Sequence, residues 1–166
     1  MIFLLTGKSG SGKSTLASEL SEHIEFALVD GDVIRDSVVG KTASLGHGKT
    51  GRETNCQIAG TLAKHFSKTN DTVIACLESP TVECRDIFRK ACGLDITTIH
   101  IKASTKTCIA RDPKGLYAKD AEGLLEVHMV GDSFELGHDI DETVTTDRKK
   151  ISTSVKDLLN LIKSGS

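Results

Sequence analysis

Residues Gly7-Lys8-Ser9-Gly10-Ser11-Gly12-Lys13-Ser14 match G-x-x-x-x-G-K-[ST], and their setting limits the fold more than any other feature of the chain. The short apolar run Ile2–Leu5 precedes the string and reads as a buried strand. Leu16, Ala17, Leu20 and Ile24 follow it on one helical face. Strand, glycine-rich turn and helix start, in that order, make a phosphate cradle. Gly7, Gly10 and Gly12 let backbone N–H groups turn inward without side-chain clashes, and Ser9 and Ser11 add their own amides. The helix N-terminus adds positive dipole. Lys13 is placed to reach the β- and γ-phosphates, and the Ser14 hydroxyl, with Thr15 beside it, to ligate Mg2+. The string implies a nucleoside triphosphate and says nothing of the acceptor.

Further short apolar runs at Ala27–Val29, Val73–Leu77 and Ile96–Ile101 read as buried strands, with a weaker fifth at Thr143–Thr145. Ile58, Ala59, Leu62, Ala63 and Phe66 share one helical face. Ile151, Val155, Leu158, Leu159 and Ile162 share another, with Asp147 expected as its N-cap. Alternating strands and helices predict a parallel five-stranded sheet with helices on both faces, an α/β three-layer fold. A chain of 166 residues suits a single domain over 1–166. Val39–Gly51 and Asp112–Asp139 fit neither period and are expected to be irregular, as lids and binding loops are.

The charge balance, 21 Lys+Arg against 23 Asp+Glu, argues against a duplex-binding face and predicts no nucleic-acid partner. Aromatics are 4% with no Trp, too few for a base-stacking platform. No apolar run approaches the ~20 residues of a membrane helix, so no membrane partner is expected. Five cysteines without a C-x-x-C pair read as reduced, buried thiols of a cytoplasmic protein.

The second strand leads into Asp30-Gly31-Asp32-Val33-Ile34-Arg35. Ligands of parallel sheets sit at the carboxyl ends of strands. Two carboxylates there, beside a phosphate cradle, suit Mg2+ binding or proton abstraction from an attacking hydroxyl. Arg35, one helical turn from Asp32, suits an anionic acceptor through bidentate contacts.

Together these elements resemble the adenylylsulfate kinase family, over most of the chain. Leu45-Gly46 is followed by Arg52-x-x-Asn55, similar to the family's Asp-Arg-x-x-Asn run with Gly51 in place of the Asp. Ser79-Pro80, with Arg85 downstream, resembles an Ile-Ser-Pro segment in which Glu78 stands where the Ile is usual. Arg111-Asp112-Pro113-Lys114-Gly115-Leu116-Tyr117 resembles the family's lid opening nearly letter for letter, and Asp132-Ser133-Phe134-Glu135 its Asp-Ser-x-Tyr-Glu region, one residue shorter.

The resemblance implies a P-loop kinase fold with a lid over about 112–139. It implies ATP and Mg2+ as cofactors and phosphorylation of the 3′-hydroxyl of adenylyl sulfate. Residues 7 and 9–15, with Lys13 and Ser14 foremost, would hold ATP and the metal. Asp32 would orient or deprotonate the hydroxyl and contribute to the metal site, with Asp30 supporting it. Arg35, Arg52 and Asn55, with the Ser79 region nearby, would bind the acceptor's phosphosulfate-type group. Arg111 and Lys114 would belong to the lid. The implied partner is a small-molecule nucleotide acceptor; a homodimer is compatible with the resemblance and is not fixed by it. Two family Phe residues that stack the acceptor's adenine are replaced, one by His47 and the other, in the Val127-His128-Met129 stretch, by His128. The acceptor therefore stays open between adenylyl sulfate and a related nucleotide such as a cytidine diphosphoramidate. A sugar-acid kinase and a non-catalytic nucleotide-binding module are the other readings.

Overall fold

Along the first strand, Ile2 and Leu4 point to one side and Phe3 and Leu5 to the other, and all four are buried. A strand apolar on both faces needs cover on both faces, and the chain supplies it. The computed structural model describes residues 1–37, 46–123 and 134–165. Strands β1 (Ile2–Thr6), β2 (Ala27–Asp30), β3 (Val73–Leu77), β4 (Thr97–Lys102) and β5 (Glu142–Thr145) form one parallel sheet in the order β2-β3-β1-β4-β5. Helices α1 (Lys13–Leu20), α2 (Gly31–Ser37), α3 (Lys49–Phe66), α4 (Val82–Cys92), α5 (Thr105–Arg111), α6 (Leu116–Ala121) and α7 (Ile151–Ser164) connect and flank the strands. On one face Ile2, Leu4, Val73 and Ala75 meet Ala59 and Ala63 of α3 and Phe88 of α4. On the other, Phe3, Leu5 and Ile99 meet Leu16 and Leu20 of α1 and Leu158 and Ile162 of α7. The three-layer α/β arrangement expected from the sequence is the one found.

Strand order places the site. β1 lies between β3 and β4, and the chain leaves its carboxyl end toward β2 on one side while β3 connects to β4 across it. Connections that part in this way leave a crevice above the strand ends.

Gly60 shows how tightly the α3–α4 layer is drawn together. A Cβ there would lie 2.5 Å from the Phe88 carbonyl oxygen and 2.8 Å from Ala91 Cβ. Close approach of the helices offsets the ~1 kcal/mol that a mid-helix glycine costs.

Several expectations are corrected. α1 stops at Leu20, where Ser21 is the C-cap, and Ile24 packs on the core from the turn that follows. Residues 49–51, expected to be irregular, are the first turn of α3; residues 38–45 lie outside the described residues. α6 lies inside the 112–139 stretch, where glycine and charge obscure its short apolar face of Leu116 and Tyr117. Asp147 does not cap α7. Lys150 holds that position without a side-chain cap, and the Asp147 carboxylate accepts from Ser104 N at 2.7 Å, joining the loops after β4 and β5. All five cysteines are buried and free, as expected.

Arg85 of α4 is fully buried and ties the returning 134–139 segment to the sheet. Its guanidinium donates to the carbonyls of Ser79 (3.0 Å) and Glu135 (2.8 Å) and makes a two-pronged pair with the Asp139 carboxylate. Arg89 donates to the same carboxylate at 3.1 Å. Burial of Asp139 works against ionisation, but the bonds from Arg85 and Arg89 outweigh it and hold the carboxyl below its ordinary range. Breaking such a pair by removing one partner costs about 3–5 kcal/mol. Arg85→Ala should therefore lower the melting temperature by roughly 10 °C, at ~2–4 °C per kcal/mol for a chain of this size. Thermal melts of Arg85→Ala, Asp139→Ala and the double variant check this: coupling shows as a double variant no worse than the worse single one, and additive losses would contradict it.

Candidate phosphoryl-transfer site

The turn between β1 and α1 has the backbone the sequence requires. Gly10 and Gly12 have φ of 75° and 102°, and a Cβ on Gly10 would meet the Cys108 carbonyl oxygen at 2.8 Å. Only glycine takes these positions without strain. The Lys13 ammonium arches back over the loop and donates to the carbonyls of Gly7 (2.8 Å) and Lys8 (3.0 Å). Its burial pushes its pKa down, and the charges of Glu78 and Asp32 oppose that fall. The hydroxyls of Ser9 and Ser11 are buried in the cradle with no hydrogen-bond partner among the described residues. A buried hydroxyl ordinarily has a partner, and phosphate oxygens would provide one. The loop is braced from across the sheet: Thr146 Oγ1, just past β5, donates to the Ser11 carbonyl at 2.7 Å, and Lys8 donates to Thr105 at 3.0 Å.

Asp30 ends β2 and does two things at once. One carboxylate oxygen accepts from Asp32 N at 2.8 Å and so caps α2; the other accepts from the Ser14 hydroxyl at 3.0 Å. Asp32 projects from the first turn of α2 and pairs with Lys114 from the α5–α6 connection. The partner of its side chain thus comes from a segment distant in sequence. Arg111, the last residue of α5, donates to the carbonyls of Gly10 (3.2 Å) and Thr146 (3.0 Å), so it is fastened to the phosphate loop. Lys13, Ser14, Asp32, Arg111 and Lys114 line a crevice of about 470 Å³, walled also by Pro113, Lys149 and Ile151.

A second cluster lies beyond Asp32, above β3. Arg35 donates to the Gly46 carbonyl, which draws the start of the α3 segment over α2. Burial lowers the Arg35 pKa, and the Glu78 and Asp32 charges partly offset that. Arg52 Nη2 donates to Glu78 Oε1 at 3.4 Å, and His47 Nδ1 stands 3.9 Å from the other Glu78 oxygen. Burial and the Arg35 charge push the His47 pKa down, so His47 is neutral at pH 7 and makes no ion pair. Asn55 donates to the Gly31 carbonyl at 2.9 Å, while its Oδ1 is buried without a hydrogen-bond partner among the described residues.

The structure thus brings together Lys13, Ser14, Asp32, Arg111 and Lys114 in one crevice, with Asp30 bonded to Ser14 behind it and Arg35, His47, Arg52 and Asn55 beyond Asp32. Ser79 differs: it is fully buried, and its hydroxyl pairs with Thr6 Oγ1 at 2.7 Å, binding β1 to the end of β3. His128 lies outside the described residues. Thr146 and the central place of Glu78 were not foreseen as parts of a site. Thr146 becomes legible only once β5 is known to neighbour β4. Glu78 carried a signal, an ionisable residue at the end of an otherwise apolar strand.

A phosphate loop at the switch point of a 2-3-1-4-5 parallel sheet places the chain among the P-loop phosphotransferases. Comparison with known sequences narrows that class. The model of the adenylylsulphate kinase family matches residues 1–140. The adenylyl-sulfate kinase of Paraburkholderia xenovorans is 34% identical over 95% of this chain and 90% of its own length. That of Clostridium kluyveri is 30% identical over 98% of this chain and 83% of its own. The Mycobacterium tuberculosis APS kinase, solved in complex with AMPPNP and APS, superposes with a TM-score of 0.80 at 27% identity, covering 98% of this chain and 96% of that one. The chain belongs to the adenylylsulphate kinase family. Among the described residues no helix is long and apolar enough to cross a membrane.

Proposed function

We propose that the chain transfers the γ-phosphate of ATP to the 3′-hydroxyl of adenylyl sulfate, giving 3′-phosphoadenylyl sulfate, as a step of sulfate assimilation in the cytoplasm. The observation that carries this reading is the meeting of Lys13, Ser14 and Asp32 in one crevice, Ser14 held by Asp30, with Arg35 and Arg52 beyond Asp32. Loop amides and Lys13 bind the β- and γ-phosphates and neutralise charge as the phosphoryl group moves. Asp32 accepts the proton of the attacking hydroxyl and aims it in line. Arg35 and Arg52 hold the acceptor's anionic arm. Arg111 and Lys114 close over the nucleotides and exclude water, which would otherwise compete as acceptor.

The donors fit Mg2+. A hydroxyl and two carboxylates, Ser14, Asp30 and Asp32, are hard oxygen ligands, and this ion takes one or two carboxylates plus substrate phosphates rather than a full protein cage. Among the described residues no cluster of three or more His, Cys, Asp or Glu side chains forms such a cage. When bound, the ion would neutralise phosphate charge.

The test is ADP release with adenylyl sulfate, a cytidine diphosphate derivative and gluconate offered in parallel. Turnover on adenylyl sulfate above the others is expected. Turnover confined to the cytidine compound would overturn the acceptor and keep the kinase; turnover on gluconate alone would overturn both the acceptor and the roles of Arg35 and Arg52.

A further inference from the structure

Glu78 is a carboxylate set among the cations assigned above to the acceptor's anionic arm. It sits at the end of β3 with a side chain 16% exposed, and accepts from Arg52 while facing neutral His47. Its field reaches Lys13 and Arg35 as well. Two guanidiniums alone would attract the most highly charged ligand available. That is a hazard here, on the reading of the site given above. ADP and ATP carry the adenosine, the 5′-phosphoanhydride and the free 3′-hydroxyl of adenylyl sulfate. They differ at the end group: sulfate bears one negative charge, whereas the terminal phosphate of ADP bears nearly two at neutral pH, its second pKa being about 6.

We propose that Glu78 is a charge filter that admits a monoanionic end group to the acceptor site and disfavours a dianionic one. It offsets part of the positive charge that Arg35 and Arg52 present, so a second unit of negative charge on the ligand is repelled. Selection against the co-substrate and its product thus comes from a repulsive element, as specificity often does. A unit charge several ångströms from a half-buried carboxylate, at an effective dielectric constant between that of a protein surface and water, is disfavoured roughly ten-fold or more. The inference rests on the acceptor site proposed above and goes beyond it, since the same arginines would serve without Glu78.

The filter is tested by binding, with the ATP site saturated by AMPPNP and Mg2+ held equal to AMPPNP so that added nucleotides stay uncomplexed. Calorimetry gives Kd for adenylyl sulfate, ADP and the β-fluoro analogue of ADP, which keeps the anhydride and carries one charge fewer. Wild type should bind adenylyl sulfate and the β-fluoro analogue at least about ten-fold more tightly than ADP. In Glu78→Gln the gap should close to within about two-fold, mostly because ADP gains. Equal wild-type affinity for ADP and its β-fluoro analogue would overturn the filter, as would an undiminished gap in Glu78→Gln. If Glu78→Gln fails to fold, Glu78→Ala takes its place with the same expected closing of the gap and the same overturning result. Adenylyl sulfate that neither binds nor turns over would remove the acceptor reading instead; adenylyl sulfate that binds, without the charge gap, removes only the filter.

Discussion

Lys13→Ala should lower turnover by at least ~10²-fold, the scale for losing one preorganised charge stabiliser in a closed site. The ammonium lies over the phosphate loop, held by the carbonyls of Gly7 and Lys8, so it is in place before substrate arrives. Burial pushes its pKa down, and the nearby Glu78 and Asp32 charges oppose part of that fall. The turn should survive its loss, because Gly10 and Gly12 set the backbone and Thr146 and Arg111 brace it from the other side. Two lost hydrogen bonds from a charged group cost about 3–6 kcal/mol, and removing a buried charge offsets part of that. Steady-state kinetics with a thermal melt separate the two effects. A folded variant with near-normal turnover would contradict the assignment of the loop.

Asp32→Asn should suppress transfer by a comparable factor, ~10²–10⁴-fold for a general base, while ATP affinity stays within a few-fold. The amide keeps the size of the side chain and removes its charge and basicity. The start of α2 does not depend on the Asp32 side chain, since the cap is made by its backbone N–H to Asp30. The substitution also releases Lys114 from its partner. That pair is half-exposed and contributes little to stability, so the melt should move by only a few degrees. Calorimetry for ATP and a coupled assay for transfer read the two halves. Loss of ATP binding together with a large fall in melting temperature would assign Asp32 to the framework instead.

Most of the architecture was legible because its signals are local. The G-x-x-x-x-G-K-S string fixes a strand, a turn and a helix in sequence, and Val73–Leu77 is read to the residue because a five-residue apolar run has few other uses. Local signals failed where the partner is remote. Asp147 looks like a cap from its neighbours in sequence, but a loop from β4 claims its carboxylate. α4 hides because its buried face is Cys84, Arg85, Phe88 and Cys92, and a buried arginine breaks the apolar period. Its meaning depends on Asp139, far along the chain.

The site divides in the same way. Lys13, Ser14 and Asp30 follow from motif and strand order, and the structure sets them within hydrogen-bond reach of one another or of the loop. On the acceptor side, sequence supplied cations but not their balance. Arg52 turns to Glu78, with neutral His47 beside it, and Glu78 is visible only as a departure from an apolar strand end until β3 and α3 come together. Ser79, read as part of the acceptor site, is spent on Thr6 between two strands.

The central claim is acceptor-dependent phosphoryl transfer to a 3′-hydroxyl, and γ-labelled ATP tests it most directly. The protein is incubated with labelled ATP, Mg2+ and adenylyl sulfate, and the products are separated and treated with a 3′-nucleotidase. The account predicts label in 3′-phosphoadenylyl sulfate, one equivalent for each ADP formed, released by the nucleotidase and absent when Asp32→Asn replaces the wild type. Label appearing only as inorganic phosphate, at the same rate with and without adenylyl sulfate, would contradict it.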